Sequence, residues 1–496
     1  MNRLKMLLSL AGFGLLAGCY KDKGNYDYTE LNEISISTST DIVNVKQFDT
    51  LKIDPVVTLQ DQSGQGKLKY SWYYLNQLNL TSYEISKDKN IRSVIGATPG
   101  TYELYLKVTD SSTGVGAFHK FQMQVTSNLP EGWLFLYEAG ADSSDAALIL
   151  PSGQILADLH QLSNQKRIAG QPRQIVNYSA NWNKQYIFTL TSKGYTYINP
   201  LDFKIIVPAD SAFYSLPPNL DPVATFPNPG TWFFNDYLFN GKKLYVRQWP
   251  GPMAKPYFGA ALEGDYQAAP WIMGTPYDAF GGYPAVIYDE AHSRFMYLPP
   301  NQTTLTTFSN TPAAFNMNNM GGKKLLFAHN TEAGFATALF QQPADDSLFI
   351  YRMDFGTNRA NTLQLPPPVD SIAIDLSRAP EMKSASLFDL SPDLPLLYYA
   401  VSNKLYKYDL AGNFSTLIYT FPAGASITAI NMLDPQKYKP YPLVGRRFAV
   451  ATLENGEGIL YDFPVAPTGS FTGDTYQTRY SNSFGKITSI NYKVSL

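Results

Sequence analysis

Acid–base and metal chemistry need His, Cys, Asp and Glu at workable spacings, and this 496-residue chain uses the first two sparingly. Its four histidines, His119, His160, His292 and His329, never come within five positions of one another. No His-Glu-x-x-His or Cys-His arrangement occurs, so the spacing supports no zinc centre. A Gly-x-Ser-x-Gly elbow, a glycine-rich phosphate loop and an acidic calcium loop are equally missing. Paired carboxylates would serve glycoside hydrolysis, and Glu138, Asp142, Asp145, Glu263, Asp265, Asp289 and Glu290 are the candidates. Asp289 and Asp389 occupy matching places in two hairpin-like repeats, "AVIYDEAHSRFMYL" and "ASLFDLSPDLPLLYYA". Such a match favours a side chain that bonds turn amides over a catalytic one. The expectation is no catalytic residue, no metal and no cofactor.

Recognition chemistry is better represented. Residues 228–290 run through short Pro- and Gly-punctuated segments loaded with rings, among them Trp249, Tyr257, Trp271, Tyr277 and Tyr283. Long connections in a compact domain tend to be functional. Flat rings there can stack on sugars or pack on peptide side chains, their polar tips supplying hydrogen bonds. These five are the expected ligand-binding residues. The alternative role for each is to fill space between packed sheets.

The single cysteine, Cys19, stands in "LLAGCYKDKGNY", directly after Arg3, Lys5 and the apolar run "MLLSLAGFGLLA". That run has the length of a signal core and falls short of the roughly 20 apolar residues of a membrane span. Leu-Ala-Gly-Cys resembles the lipobox of bacterial lipoproteins. The resemblance implies cleavage after residue 18, diacylglycerol on the Cys19 thiol and acylation of the new amine. Two or more acyl chains give stable anchoring. With its thiol consumed, the mature chain has no disulfide and relies on its core. Lys21-Asp22 resembles, in a one-acid version, the short export signals of Bacteroidetes surface lipoproteins, which implies an outer-membrane anchor facing outward. Residues 19–29 then form a polar tether.

Losing residues 1–18 removes Arg3 and Lys5, leaving 37 basic and 41 acidic residues and a net charge of −4. A chain this close to neutral lacks the basic footprint of nucleic-acid binding. Aromatic residues make up 14% of the chain, with 35 Tyr and 29 Phe, whereas charged residues are only 16%, below the usual quarter. That balance suits β-structure and extracellular recognition. The length calls for at least two domains.

The elements that must position these groups read as strands throughout. Residues 30–127 alternate in the strand period through "EISISTST", "KLKYSWYYLN", "YELYLKVTD" and "FHKFQMQVTS", which points to a β-sandwich with Trp72 as a core filler. "GTYELYLKVTD" resembles the late strand of PKD-type domains, matching at Gly100, Tyr102, Leu104, Leu106, Val108 and Asp110. From residue 133 a four-strand unit repeats loosely about every 40–50 residues, the signature of a propeller blade. The expected fold is therefore all-β: a PKD/immunoglobulin-like sandwich over 30–127, then a β-propeller of about seven blades over 133–496. "ITSINYKV" at the end is expected to complete the first blade.

Lipobox, "CYKDKGNYDY", PKD-like segment and β repeats together resemble the PKD-like family lipoproteins of Bacteroidetes. Such proteins are commonly encoded beside SusC/SusD-type outer-membrane importers. The resemblance implies a surface-anchored, non-enzymatic accessory protein that binds a glycan, a peptide or an importer component. A propeller glycosidase or lyase and a purely structural adaptor are the rival readings.

Overall fold

The computed structural model describes residues 32–494 apart from 61–66, 77–80, 130, 181–183, 230–233, 250–256, 275–282, 284, 300–301, 310–312, 331–334, 356–366, 435–441 and 473–477. Cys19, the signal segment, the tether and Tyr277 lie outside the described residues. The described residues form two compact units, a smaller one drawn from 32–42, 52–91 and 103–122 and a larger one drawn from 43–51, 92–102 and 123–494.

In the smaller unit Leu68–Asn76 pairs antiparallel with Gly100–Asp110, setting Tyr74 opposite Leu104, Trp72 opposite Leu106 and Tyr70 opposite Val108. Period-2 alternation turns one side chain of each neighbouring pair inward, so Leu104, Leu106 and Val108 are fully buried. Trp72 is fully buried as well, 5.6 Å from Phe121. Its indole N–H donates to the Asp88 carbonyl at 2.9 Å, so the burial leaves no orphaned donor. Trp72 is a core residue.

The larger unit holds seven small sheets in chain order. Four are complete antiparallel four-strand blades. Blade 2 starts with Pro172–Ala180, blade 5 with Lys324–Asn330, blade 6 with Leu387–Leu390 and blade 7 with Ser426–Met432. Blade 3 runs through Pro222–Pro229, Phe234–Asn240 and Lys243–Trp249, with a fourth segment bridged at Tyr245 and Ala261. Blade 4 has Val286–Asp289, Arg294–Tyr297 and Thr306–Thr307, and its first position is an irregular segment bridged at Ala268–Asp289 and Met273–Val286. Blade 1 is built from both ends of the domain. Gly132–Gly140, Ser143–Ile149 and Ile155–Leu156 are joined by Ile487–Lys493, which pairs antiparallel with Gly132–Gly140. First strands of successive sheets lie against one another, including Ile487–Lys493 against those of blades 7 and 2.

Seven hydrophobic clusters lie between these seven sheets, one for each adjacent pair, and the seventh joins blade 7 to blade 1. Equal numbers of sheets and of interfaces mean the ring is closed. The near-continuous apolar runs follow from this, because a blade strand is buried on both faces. In "GWLFLYEAG", Trp133, Phe135 and Tyr137 pack toward blade 7 while Leu134 and Leu136 pack toward blade 2. "LLYYAV" divides likewise, with Leu396, Tyr398 and Ala400 toward blade 7 and Leu397 and Tyr399 toward blade 5.

The structure corrects one equivalence. "ASLFDLSPDLPLLYYA" joins the first and second strands of blade 6, whereas "AVIYDEAHSRFMYL" joins the second and third strands of blade 4. Asp389 and Asp289 therefore belong to hairpins that turn at opposite ends of their blades. Both hairpins have the same apolar–polar–apolar pattern, which does not encode strand number. Each carboxylate nevertheless bonds backbone amides. Asp289 accepts from Gln267 N at 2.9 Å and Ala291 N at 3.1 Å, and Asp389 from Leu390 N at 2.8 Å and from Met432 N.

Candidate functional site

Strands alternate in direction within a blade, so the first-to-second and third-to-fourth connections of every blade emerge at one end of the ring. Trp249 ends the third strand of blade 3, opposite Phe234. Tyr257 lies in the connection that follows, and Tyr283 in the first-to-second connection of blade 4. Topology thus places Trp249, Tyr257 and Tyr283 at this end. It is also where the first strands of blades 5 and 6 finish, at His329–Asn330 and Asp389–Leu390.

Trp271 sits in the irregular inner segment of blade 4. Its ring centroid is 5.2 Å from Phe327 on blade 5 and 6.1 Å from Phe226 on blade 3, and it packs on the cluster between blades 5 and 6. Reaching both neighbouring blades and the next interface beyond requires the ring to lie along the inner edge of the blades. It is half-buried. Tyr283, also half-buried, packs against Tyr297 at 4.8 Å and Phe308 at 5.0 Å in the blade 4–5 cluster, which Trp271 also touches. Tyr257 is held apart from both, edge-on to the exposed Tyr214 at 5.2 Å. The side chain of Trp249 lies outside the described residues. Of the three rings described, then, Trp271 and Tyr283 border one cluster and Tyr257 packs on Tyr214.

Polar groups that spacing alone had not joined meet beside Trp271. His329 Nε2 lies 3.3 Å from Asp434 Oδ2, and the imidazole is parallel to Phe327 with centroids 6.4 Å apart. Asn330 accepts from Gly274 N at 3.3 Å and donates to Ile272 O at 3.4 Å, tying the end of Trp271's segment to blade 5. Burial pushes the Asp389 carboxyl up to about 6, with the nearby His329 pulling the other way and Asp434 adding to the rise. Asp434 is half-exposed and offers an acceptor to solvent. The signal available in the sequence was positional: His329 and Asp389 each stand one residue before the end of a first strand.

Of the carboxylates weighed for glycoside hydrolysis, Asp265 and Asp289 meet at His292, whose Nε2 lies 3.3 Å from Asp265 and whose Nδ1 lies 2.8 Å from Asp289, with Glu290 next in the chain. Asp145 is buried beneath the short helix Leu159–Asn164, accepting from His160 N at 2.8 Å and Gln161 N at 3.1 Å, and burial pushes it up to about 7. Asp289 is bound by His292 and Arg294, at 2.8 and 3.0 Å. Glu290 pairs with Lys242 and Asp142 with Lys193. Among the described residues no group of three or more His, Cys, Asp or Glu side chains is arranged to hold a metal.

Comparison with known proteins bears on fold and family. Residues 19–172 match the PKD-like family. The N-terminal part of the chain is PKD-like. No curated protein matches the sequence. Among solved structures, a quinonprotein alcohol dehydrogenase-like protein from Bacteroides thetaiotaomicron is similar over 93% of this chain and 99% of its own, with a TM-score of 0.52 and 13% identity. A 6-phosphogluconolactonase-like protein from Bacteroides uniformis covers 74% of this chain and 100% of its own, at a TM-score of 0.44 and 11% identity. At such identities the first likeness speaks for the fold alone, and the second is too distant to bear on the argument. The PKD-like match runs past the sandwich through three of the four strands of blade 1 and stops at Pro172, the first residue of blade 2.

Proposed function

We propose that this PKD-like protein is a surface-anchored accessory lipoprotein that binds a glycan or peptide for an outer-membrane importer and catalyses no reaction. It is held by lipid on Cys19 and presents the connection-rich end of its propeller to the ligand. One observation carries the binding reading: the half-buried Trp271 ring beside Phe226 and Phe327, with His329 and Asp434 at the adjoining strand ends. An aromatic wall with polar groups at its border gives a ligand apolar contact and fixes its orientation. Asp142, Asp145, Asp289 and Glu290 are each engaged by backbone amides or cations, which supports binding over glycoside hydrolysis.

Cells carrying the wild type, Trp271→Ala or Cys19→Ser are incubated with labelled polysaccharides and peptides, then fractionated. The wild type is expected to retain ligand at the membrane. Trp271→Ala is expected to remain at the membrane and weaken capture by roughly 1–3 kcal/mol, the range of a buried aromatic anchor. Cys19→Ser is expected to move to the soluble fraction with its binding intact. Release of shortened products by the wild type would overturn the non-enzymatic reading. Undiminished capture by a folded Trp271→Ala protein would place recognition elsewhere.

A further inference from the structure

A cavity of about 280 Å³ opens at the seam where blade 7 meets blade 1. It lies at the end of the ring where first-to-second and third-to-fourth connections emerge, because Trp133 and Arg447 begin second strands while Ile149 ends a third. Its wall includes the rings of Trp133, Tyr480 and Tyr492, with Trp133 and Tyr492 edge-to-face at 5.0 Å. The opposite character comes from Arg447, Asp462 and Glu131, and from the hydroxyls of Ser152 and Thr478.

The cavity is preformed. Gly132 lies so close to the next strand that a Cβ there would meet the Ile149 carbonyl oxygen at 2.0 Å. The 150–154 turn is closed by Leu150 N to Gln154 O at 2.9 Å and Gly153 N to Leu150 O at 2.8 Å. A Cβ on Gly153 would stand 4.0 Å from the Tyr480 ring, so turn and ring are neighbours. A site that needs no reordering loses little of its binding energy to conformational entropy.

Charge narrows the ligand class. The Arg447 guanidinium is bidentate on Asp462, with Nε donating to Oδ1 at 2.9 Å and the second N–H to Oδ2, so its charge is already answered. Glu131 lies near the Lys493 ammonium, whose Nζ donates to Leu129 O at 2.7 Å. With Arg447 paired to Asp462 and Glu131 near Lys493, these charges cancel and the lining offers no net charge to draw in an anion or a cation. Backbone carbonyls and carboxylates around the ring wall accept, and the Ser152 and Thr478 hydroxyls can both donate and accept. Groups that both donate and accept suit such a lining, as hydroxyls do. Ligand pockets commonly start near 300 Å³, so this one takes a ligand of one or two rings.

We infer that the blade 7–blade 1 seam is a binding site for a neutral saccharide of one or two sugar rings, stacked on Tyr480 and hydrogen-bonded by Thr478, Ser152 and Glu131. This site is separate from the Trp271 surface, and either can fail without the other. Because it spans the strand that closes the ring, occupancy also ties blade 7 to blade 1 and raises stability by linkage.

The purified protein is titrated by calorimetry and by saturation-transfer NMR with glucose, galactose, mannose, N-acetylglucosamine, cellobiose and lactose. Glucuronate and glucosamine serve as charged probes. At least one neutral sugar is expected to bind and to raise the melting temperature, and both charged probes are expected to bind more weakly than it. Tyr480→Ala should weaken binding at least about tenfold, equivalent to 1.4 kcal/mol. Thr478→Val keeps the side-chain shape, guards against misfolding and should also weaken binding. Trp271→Ala should leave this binding unchanged. Absence of binding by any neutral sugar, tighter binding of a charged probe, or full affinity in folded Tyr480→Ala and Thr478→Val would overturn the assignment. Loss of binding in Trp271→Ala alone would do so too, placing the sugar on the other surface.

Discussion

Arg247 is a buried cation of the propeller, with a side chain at 0% exposure. It lies between blades 2 and 3, where its Nε donates to Asp236 at 2.9 Å and an Nη to the Tyr195 hydroxyl at 3.0 Å. The guanidinium also faces the rings of Phe188 and Phe258 at 5.3 and 5.2 Å. Asp236 and Arg247 are cross-strand partners in "FNDYLFNGKKLYVRQW", so the hairpin alone sets their register. The sequence shows that hairpin, but not that its outer face is covered by the next blade. Removing one member of a buried pair leaves the other charge unanswered, at a cost of about 3–5 kcal/mol. Arg247→Met should therefore lose that much in urea unfolding. Arg247→Met combined with Asp236→Leu should recover most of it. Equal losses in the single and double variants would mean that packing, not charge, sets the cost.

Strand periodicity exposes hairpins clearly and their place in a blade poorly. The repeats around Asp289 and Asp389 look alike, yet one is a second–third and the other a first–second hairpin. A two-residue period carries no label for distance from the ring axis. Trp271 was legible as one of a cluster of rings among Pro and Gly. Its position on an inner segment was not, because that segment is held by two isolated bridges and has no strand alternation to read. The C-terminal strand was readable because "ITSINYKV" alternates and stands apart from any hairpin partner. In the structure Ile487, Ile490, Tyr492 and Val494 are buried in the blade 7–blade 1 cluster. Each such side chain contributes about 1.5–3 kcal/mol, a sum comparable to the 5–15 kcal/mol that usually separates folded from unfolded chains. Removal also bares the edge of Gly132–Gly140. Deleting residues 486–496 should abolish the cooperative melting of the larger unit or lower its midpoint steeply. An unchanged calorimetric trace would mean that the first blade holds without its inner strand.

At the scale of the whole molecule, composition and period announced a sandwich followed by a propeller, with the sandwich read over 30–127 and the propeller over 133–496. Contacts assign some N-terminal residues differently. Segments 43–51 and 92–102 belong to the larger unit, through side chains that a local pattern cannot relate to residues more than a hundred positions away. Gln47 is fully buried and donates to Asp202 O at 3.0 Å. Phe48 lies in the cluster between blades 1 and 2, beside Leu134, Leu159 and Phe203. A Cβ on Gly96 would meet the Leu162 carbonyl oxygen at 2.0 Å, so that contact requires glycine. The PKD-like match continues through Leu134, Leu159 and Leu162, which these residues touch, and stops short of Asp202 and Phe203. Phe48→Ala should cost about 3–5 kcal/mol, the usual loss for a buried Phe, and that loss should appear in the melting of the propeller. A chain beginning at residue 128 lacks Gln47, Phe48 and Gly96 together, and its propeller should melt at least as far below the intact protein as the Phe48→Ala variant does. Scanning calorimetry of the intact, Phe48→Ala and shortened chains decides the matter. If Phe48→Ala leaves the propeller transition where it was, the 43–51 segment is a passenger and the propeller is complete without it.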